Sequence, residues 1–243
     1  MELSPFEREY FLREGLAGPF TYVSVAEMAR LRREIERQAF GRAGPAARDR
    51  FESRHQDCKV LYDICSTEQL VDRVASLLGP DVMVWNSVLF SKEPGGREVP
   101  WHQDLDFLLL DPHVNVSVWL AIDRSTRKNG CLQVIPGSHA CQVPHRRRQK
   151  RYQFMAHAEP GYVDKSRAVD IELEPGQFII FHRDLLHHSG PNLSTERRLG
   201  LTVRYTVPGV KVNTEGLFAG HCVFCVRGKD RHRVNITGEP PRG

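Results

Sequence analysis

The feature that most constrains the fold is a series of short strand-like segments that begins at Val82 and continues almost to the end of the chain. Apolar residues alternate in the first two segments, 82–90 and 114–120, as is typical of strands with one buried face. Turns rich in Gly, Pro and Asn separate the others, which are 131–135, 168–173, 177–181, 198–206 and 221–226. Because no helical crossover lies between them, the segments predict a mainly β fold, an antiparallel sandwich of the jelly-roll type with flanking helices.

The residues before this series carry helical patterns instead. Helical periodicity extends over 5–15, 24–40 and 67–78, and in the second segment Ser24 and Glu27 have the spacing of a capping box. The segment 41–57, with two glycines and a proline, is predicted to be a mobile loop. A chain of 243 residues is long enough for one well-buried domain. We therefore predict a single domain over 1–243, with a helical part over about 1–80 and a jelly-roll core over about 81–235.

Composition excludes several classes of protein. Hydrophobic residues make up 40% and charged residues 26% of the chain, as in ordinary soluble globular proteins. No apolar run approaches the roughly 18 residues that a transmembrane helix needs, and the start of the chain lacks a basic and then apolar signal segment. We therefore expect a cytoplasmic protein with no membrane partner. A net charge of +4 is too small to indicate a nucleic-acid partner.

Two local clusters allow a structural and a functional interpretation. Cys222 and Cys225 have the spacing of half a zinc site, but no second pair stands at zinc-like spacing, and the six dispersed cysteines are expected to be free thiols. Segment 145–151 concentrates basic residues. It is either a solvated loop or an electrostatic funnel for an anionic substrate or an acidic carrier domain.

His102 and Asp104 form the first part of a candidate metal site. In a strand, residues two apart project from the same face, so both side chains would point into one cavity. A third ligand would come from 182–188, which follows an apolar strand and contains three histidines. Two histidines and one carboxylate form the facial triad that suits non-heme Fe(II), because it leaves adjacent positions open for dioxygen and a bidentate cosubstrate. An arginine at the entrance of the next strand, at 197 or 198, could point toward this metal and pair with a carboxylate of a small dicarboxylic acid.

Several motifs in a fixed order resemble the phytanoyl-CoA dioxygenase family of Fe(II)- and 2-oxoglutarate-dependent oxygenases. They are Phe90 to Gly95, Trp101 to Asp104, Ser117 to Asp123, Asn129 to Leu132, Pro136 to His139, and His-x-Ser-Gly-x-Asn at 187–192. The resemblance covers about Pro80 to Thr206. It implies a double-stranded β-helix, a cupin-like jelly roll, that uses Fe(II), the cosubstrate 2-oxoglutarate and dioxygen.

The resemblance also implies roles for single residues. His102, Asp104 and His187 match the iron ligands, which are the catalytic residues of the family. The remaining matches concern the cosubstrate pocket: Arg198, which would bind the distal carboxylate of 2-oxoglutarate, and Ser189, Trp119 and Asn86.

His182 and His188 are the alternatives to His187. His188 is expected to face the opposite way, and His182 lies too early for the family spacing. Asp104 bears on the type of reaction. A halogenating branch of the superfamily, which this chain resembles near 226–231, replaces this carboxylate with a small residue so that halide can bind the iron. The carboxylate therefore favours hydroxylation or a related oxidation such as desaturation.

The activity that the resemblance implies is hydroxylation of an unactivated C–H bond in a small organic substrate, in secondary or specialised metabolism, with release of succinate and carbon dioxide. The pocket walls are predicted in 105–110, 41–57 and 140–165, whose residues suggest a substrate that is anionic or bound to a carrier protein. We expect a monomer or homodimer. The alternatives are a non-catalytic sensor that binds iron or 2-oxoglutarate, and a metal-dependent hydrolase or isomerase, which would not explain Arg198.

Overall fold

The computed structural model describes residues 1–41, 50–104, 109–147, 156–213 and 221–242. Within these ranges the α-helices are α1 Pro5–Glu14, α2 Val25–Ile35, α3 Lys59–Cys65 and α4 Glu68–Leu78. The strands are β1 Leu16–Thr21, β2 Arg50–Glu52, β3 Val82–Lys92, β4 Val99–His102, β5 Leu110–Asp111, β6 Val116–Ala121, β7 Leu132–Val134, β8 His145–Arg147, β9 Ala156–Ala158, β10 Val169–Ile171, β11 Gln177–His182, β12 His187–Ser189, β13 Arg198–Thr206, β14 Lys211–Val212 and β15 Phe224–Arg227.

Helices α1, α2 and α4 confirm the three helical predictions. The Ser24 hydroxyl caps α2 by accepting a hydrogen bond from the backbone N–H of Glu27. The complete capping box lies in α1, where Ser4 and Glu7 bond each other reciprocally. After α2 the chain continues as a π-helical turn, Glu36–Phe40, so the whole predicted segment is helical.

Two antiparallel sheets form the body of the fold. The larger sheet has the order β1-β11-β6-β13-β3-β15, and β2 also pairs with β3. The smaller sheet has the order β10-β7-β12-β4. Strands that are neighbours in space are therefore far apart in sequence, as in a jelly roll, and the predicted fold class is confirmed.

Alternation along the central strands separates two hydrophobic cores. In β6, Val118 and Leu120 pack in the larger core with residues of the helices, whereas Trp119 and Ala121 pack on the other face with residues of the smaller sheet. Strand β11 alternates in the same way. The helices thus cover one face of the larger sheet, and the opposite face lies against the smaller sheet, where a pocket forms.

Three local predictions are wrong or incomplete. The sequence does not reveal β1, because Gly18 and Pro19 interrupt its pattern; it is an edge strand whose register shifts between Ala17 and Phe20. Helix α3 has only seven residues, too few to show a clear helical period. In the predicted loop, β2 and a 3-10 turn occupy much of the described part, and 42–49 lie outside the described residues.

The remaining global observations concern membranes and cysteines. In the described ranges, no helix has both the length and the apolar character needed to cross a membrane. All six cysteines are free. Cys222 and Cys225 take part in no cluster of metal-ligand side chains within the part of the chain that the structure describes.

Tyr205 connects the larger sheet to the helical layer. Its buried hydroxyl donates to the backbone carbonyl of Cys65, at the end of α3, over 2.8 Å. We expect Tyr205→Phe to lower the free energy of unfolding by ~1–2 kcal/mol, because a buried carbonyl loses its partner. Urea unfolding measures this change, with Tyr162→Phe at an exposed position as the control. Equal losses in both variants would contradict the assignment.

Candidate active site

Strand β13 supplies one wall of the pocket. Its residues Leu199, Leu201, Val203 and Tyr205 lie in the core beneath the helices. The residues that alternate with them along the strand therefore point to the opposite face of the sheet. Of these, Arg198, Thr202 and Arg204 line the pocket. The alternation thus places two arginines, at opposite ends of one strand, on the same wall.

Backbone pairing in the smaller sheet brings two distant histidines together. Strand β12 lies between β7 and β4, and His187 stands directly opposite His102. Both side chains are buried, and their ring centroids are 4.0 Å apart. The two imidazoles are therefore close enough to share one cation.

Asp104 completes this group from a position beyond the end of β4. The strand ends at His102, so the prediction that both side chains use one face of a strand is wrong. The backbone N–H of Asp104 instead donates to the carbonyl of Arg183 over 2.8 Å, which fixes the turn. Oδ1 of Asp104 lies 4.0 Å from Nε2 of His102 and 3.8 Å from Nε2 of His187. The ligand atoms of all three residues lie within 4.8 Å of one another.

The two imidazoles are oriented as metal ligands. Nδ1 of His102 lies 2.8 Å from the carbonyl oxygen of Pro100, and Nδ1 of His187 lies 2.8 Å from that of Leu185. Nδ1 therefore carries the proton, and Nε2 directs its lone pair toward the third ligand. Burial lowers the pKa of His102 to about 3 and also lowers the pKa of His187, so both rings stay neutral, as metal binding requires.

Asp104 is held in its ionised form by Arg204. Nη2 of Arg204 lies 3.4 Å from each carboxylate oxygen. Burial acts to raise the pKa of Asp104, but the Arg204 guanidinium and the imidazoles of His187 and His102 together outweigh it, and the pKa falls to about 2. Nη1 of Arg204 donates to Oδ1 of Asn86, its cross-strand neighbour, over 3.1 Å. Asn86 thus supports Arg204, and its predicted contact with a cosubstrate stays a prediction.

Two neutral imidazoles and one carboxylate on one side of a buried pocket fit a divalent iron.

Gln103, between two of the candidate ligands, has a role that the motif alone does not reveal. Its buried Nε2 donates to the carbonyls of Cys141, over 2.9 Å, and Asp184, over 2.7 Å. Its Oε1 accepts from the N–H of Val143 over 2.9 Å. The side chain therefore joins the loop before β8 and the turn before β12 to the segment that carries His102.

The other end of the pocket contains a buried cation. Arg198 is 3% exposed, and its guanidinium carbon lies 5.1 Å from the Trp119 ring centroid. Within the described chain, Nε of Arg198 and Nε1 of Trp119 have no hydrogen-bond partner. A buried guanidinium in this state fits a bound carboxylate. Gly200 leaves the space for the indole, because a Cβ there would lie 2.5 Å from the Trp119 ring.

Ser189 lines the same end of the pocket. Its hydroxyl accepts a hydrogen bond from Nζ of Lys92 over 2.6 Å and donates to the carbonyl of Gly130 over 2.7 Å. Lys92 is the cross-strand neighbour of Arg198. The predicted cosubstrate residue is thus held by a lysine to which the sequence assigns no role.

The structure separates His187 from its two competitors. His188 reaches the pocket lining, but its ring stacks on Trp101 with centroids 5.1 Å apart, and its Nδ1 lies 2.9 Å from Oε1 of Gln133. Nδ1 of His182 accepts from the N–H of Asp184. Among these three histidines, His187 alone belongs to the metal-ligand group of the described residues.

Together with open solvent at its mouth, the pocket contains about 510 Å³ of empty space. Apolar side chains complete its lining: Phe90, Val99, Leu132 and Phe181. The prediction for 109–110 is wrong, because Leu109 and Leu110 pack in a separate cluster with Met83 and Trp85. Other predicted wall residues, 42–49, 105–108 and 148–155, lie outside the described residues.

The described start of the basic segment lies against the candidate ligands. Nε2 of His145 accepts a hydrogen bond from the backbone N–H of Gln103 over 3.0 Å, while Arg146 is exposed and pairs with Glu159. The described start of the segment is therefore not merely a solvated loop, since His145 supports the turn that carries the candidate ligands.

A buried facial triad inside a jelly roll, with an arginine at the other end of the same pocket, defines the class of Fe(II)- and 2-oxoglutarate-dependent oxygenases. Residues 11–200 match the family model described as Phytanoyl-CoA dioxygenase (PhyH). The chain belongs to the phytanoyl-CoA dioxygenase family. The match begins well before Pro80, so it includes the helical part that the motifs do not cover.

Curated relatives and a solved structure agree with this family. The peroxisomal phytanoyl-CoA dioxygenase of Rattus norvegicus is 29% identical over 230 residues, which cover 84% of this chain and 68% of that protein. A probable alpha-ketoglutarate-dependent hypophosphite dioxygenase of Stutzerimonas stutzeri is 28% identical over 229 residues, 82% of this chain and 77% of that protein. The matches of this chain to two further relatives cover 46% and 55% of the length of those proteins. The structure of CytC3 with Fe(II) and alpha-ketoglutarate has a TM-score of 0.78 and 26% identity, covering 99% of this chain and 95% of that chain.

The choice between His187 and His188 can be tested directly. We expect His187→Ala to lower the affinity for Fe(II) by more than ~100-fold. Removing a residue that only hydrogen-bonds a metal ligand costs up to about 100-fold, and removing the ligand itself should cost more. His188→Ala, the same change one residue later, should leave the affinity close to that of the wild type. Anaerobic calorimetric titration with Fe(II) measures both. A loss of affinity in His188→Ala as large as in His187→Ala would contradict the assignment.

Proposed function

We propose that this protein is an Fe(II)- and 2-oxoglutarate-dependent hydroxylase of an unactivated C–H bond in a small organic substrate that carries an anionic group. One observation carries the proposal: the three candidate iron ligands and Arg198, whose buried guanidinium can bind a carboxylate, line a single pocket. A metal-dependent hydrolase would account for the three candidate metal ligands but would not explain Arg198.

The iron and 2-oxoglutarate supply, when bound, the oxidising chemistry, which couples decarboxylation of the keto acid to succinate with insertion of oxygen into a C–H bond. The residues of the chain hold and orient these groups. His102, His187 and Asp104 hold the metal on one side, and Arg198 pairs with the distal carboxylate of the cosubstrate. The apolar walls that Phe90 and Phe181 help to form keep water away from the reacting groups.

Asp104 supports hydroxylation rather than halogenation. Its carboxylate stands among the candidate ligands, and its contact with Arg204 and its low pKa keep it ionised and oriented toward the two histidines. The position that the halogenating branch keeps free for halide is therefore filled by a protein ligand.

Two observations support an anionic substrate. Arg204 brings a second guanidinium to the pocket lining, near the candidate iron ligands. Two relatives are named for anionic compounds, hypophosphite and an acyl-coenzyme A. A carrier-bound substrate and a place in specialised metabolism stay predictions.

The experiment is a turnover assay with Fe(II), 2-oxoglutarate, dioxygen and a panel of small anionic substrates. We expect a substrate-stimulated release of succinate, with a product heavier by one oxygen atom in mass spectrometry. Binding of 2-oxoglutarate with only slow, substrate-independent succinate release would instead favour the sensor alternative. Product formation without 2-oxoglutarate would favour a hydrolase or isomerase.

Arg198 provides the matched test of the cosubstrate site. We expect Arg198→Met to raise the KM for 2-oxoglutarate by at least ~30-fold, because losing one partner of a buried charge pair costs about 2 kcal/mol or more. Succinate formation at varied 2-oxoglutarate measures this change. Arg197→Met is the control, since the guanidinium of Arg197 pairs with Glu36 in the helical layer. A rise in KM that is larger in Arg197→Met than in Arg198→Met would contradict the assignment of Arg198.

A further inference from the structure

Two buried cations stand directly opposite each other at the arginine end of the pocket. Lys92, the last residue of β3, is paired with Arg198, the first residue of β13. Only 7% of Lys92 and 3% of Arg198 are exposed. Like charges in directly opposed positions destabilise an antiparallel pair, and burial increases the cost of each charge.

The partners of these two side chains do not offset their charges. Nζ of Lys92 donates to Oγ of Ser189 over 2.6 Å, to the carbonyl of Ser189 over 3.2 Å, and to the carbonyl of Gly190. These acceptors are neutral oxygens. Nε of Arg198 has no partner in the described residues. Within the described residues, no carboxylate is hydrogen-bonded to either of these adjacent cations, which indicates that an anion belongs at this end of the pocket.

The contacts of Lys92 also organise the pocket wall. Three acceptors match the three protons of an ammonium group, although burial and then Arg198 lower the pKa of Lys92 to about 7. With Lys92 on one side and the carbonyl of Gly130 on the other, the Ser189 hydroxyl is fixed. A neutral donor could hold the same oxygens, so these hydrogen bonds alone do not account for the charge.

We propose that Lys92 is a positioning residue for the distal carboxylate of 2-oxoglutarate, supplying a second positive charge behind Arg198 and holding Ser189 at the pocket wall. The inference rests on the proposed function and assigns Lys92 to cosubstrate affinity, separate from metal affinity. In the described chain, the hydrogen bonds of Lys92 go to Ser189 and Gly190 rather than to a candidate iron ligand.

A comparison of two ligands separates this role from a structural one. The full chain is loaded with Ni(II), which does not support turnover, and titrated calorimetrically without oxygen, first with 2-oxoglutarate and then with 2-oxopentanoate, which lacks the distal carboxylate. The variants are Lys92→Met, Lys92→Gln and Lys92→Arg. Lys128→Met is the control, because it makes the same change at an exposed lysine in the turn before Gly130. Thermal unfolding and Ni(II) affinity are measured for each variant.

We expect Lys92→Met to weaken 2-oxoglutarate binding by roughly tenfold or more, the effect of one partly screened charge, while Ni(II) and 2-oxopentanoate affinities stay near those of Lys128→Met. Lys92→Arg, which keeps the positive charge, should retain more affinity for 2-oxoglutarate than the neutral Lys92→Gln. If Lys92→Met does not fold, Lys92→Gln replaces it as the neutral variant. An equal loss for both keto acids, or no loss in either neutral variant, would overturn the inference alone. A wild-type protein that binds no 2-oxoglutarate would overturn the proposed function together with it.

Discussion

The pairing of β12 with β4 is the constraint on which the candidate iron site depends. A shift of one residue in this pairing would turn His187 away and present His188 in its place. Both strands are short, so the ladder alone fixes the register weakly. The turn before β12 strengthens it, because the N–H of Leu186 donates to Oγ of Ser138 and its carbonyl accepts from Ile135. Gln103 adds its bond to Asp184 in the same turn. The site is therefore oriented by the loops around the smaller sheet as much as by the strands.

Strand β13 shows how one segment serves both stability and chemistry. Its leucines and Tyr205 complete the core beneath the helices, and this burial fixes which residues face the pocket. The pocket face then carries charges that an ordinary core would exclude, Arg198 and Arg204. A strand with polar residues on both faces could not hold these guanidinium groups in defined positions, since nothing would fix its register. The hydrophobic face thus provides the precision that the polar face needs.

Much of the fold and the ligand set could be predicted, because both follow from local patterns. The bounds of β13 agree with the predicted segment 198–206, since alternation is complete there. Strand β1 could not be found, because its glycine and proline break the pattern and only pairing with β11 makes it a strand. Lys92 and Ser189 lie 97 positions apart in sequence, so no local pattern reveals their contact. Asp104 lies beside the two histidines, as predicted, but for a different reason: its turn, rather than a continued strand, directs it toward them.

The charges around the pocket connect the two ends of the site. Asp104 is the anionic side chain of the described lining, whereas Arg198 and Arg204 are cations and Lys92 lies directly behind the wall. Arg204 already offsets much of the charge of Asp104, so the pocket is positive before any metal enters. A divalent ion increases that positive charge, and a ligand with two carboxylates reduces it. Because the metal and the dianion would then attract each other within one pocket, their binding free energies would be coupled, and each would raise the affinity for the other by the same factor. In the proposed site, Lys92 and Arg198 would contribute to this coupling through the dianion that joins the two ends.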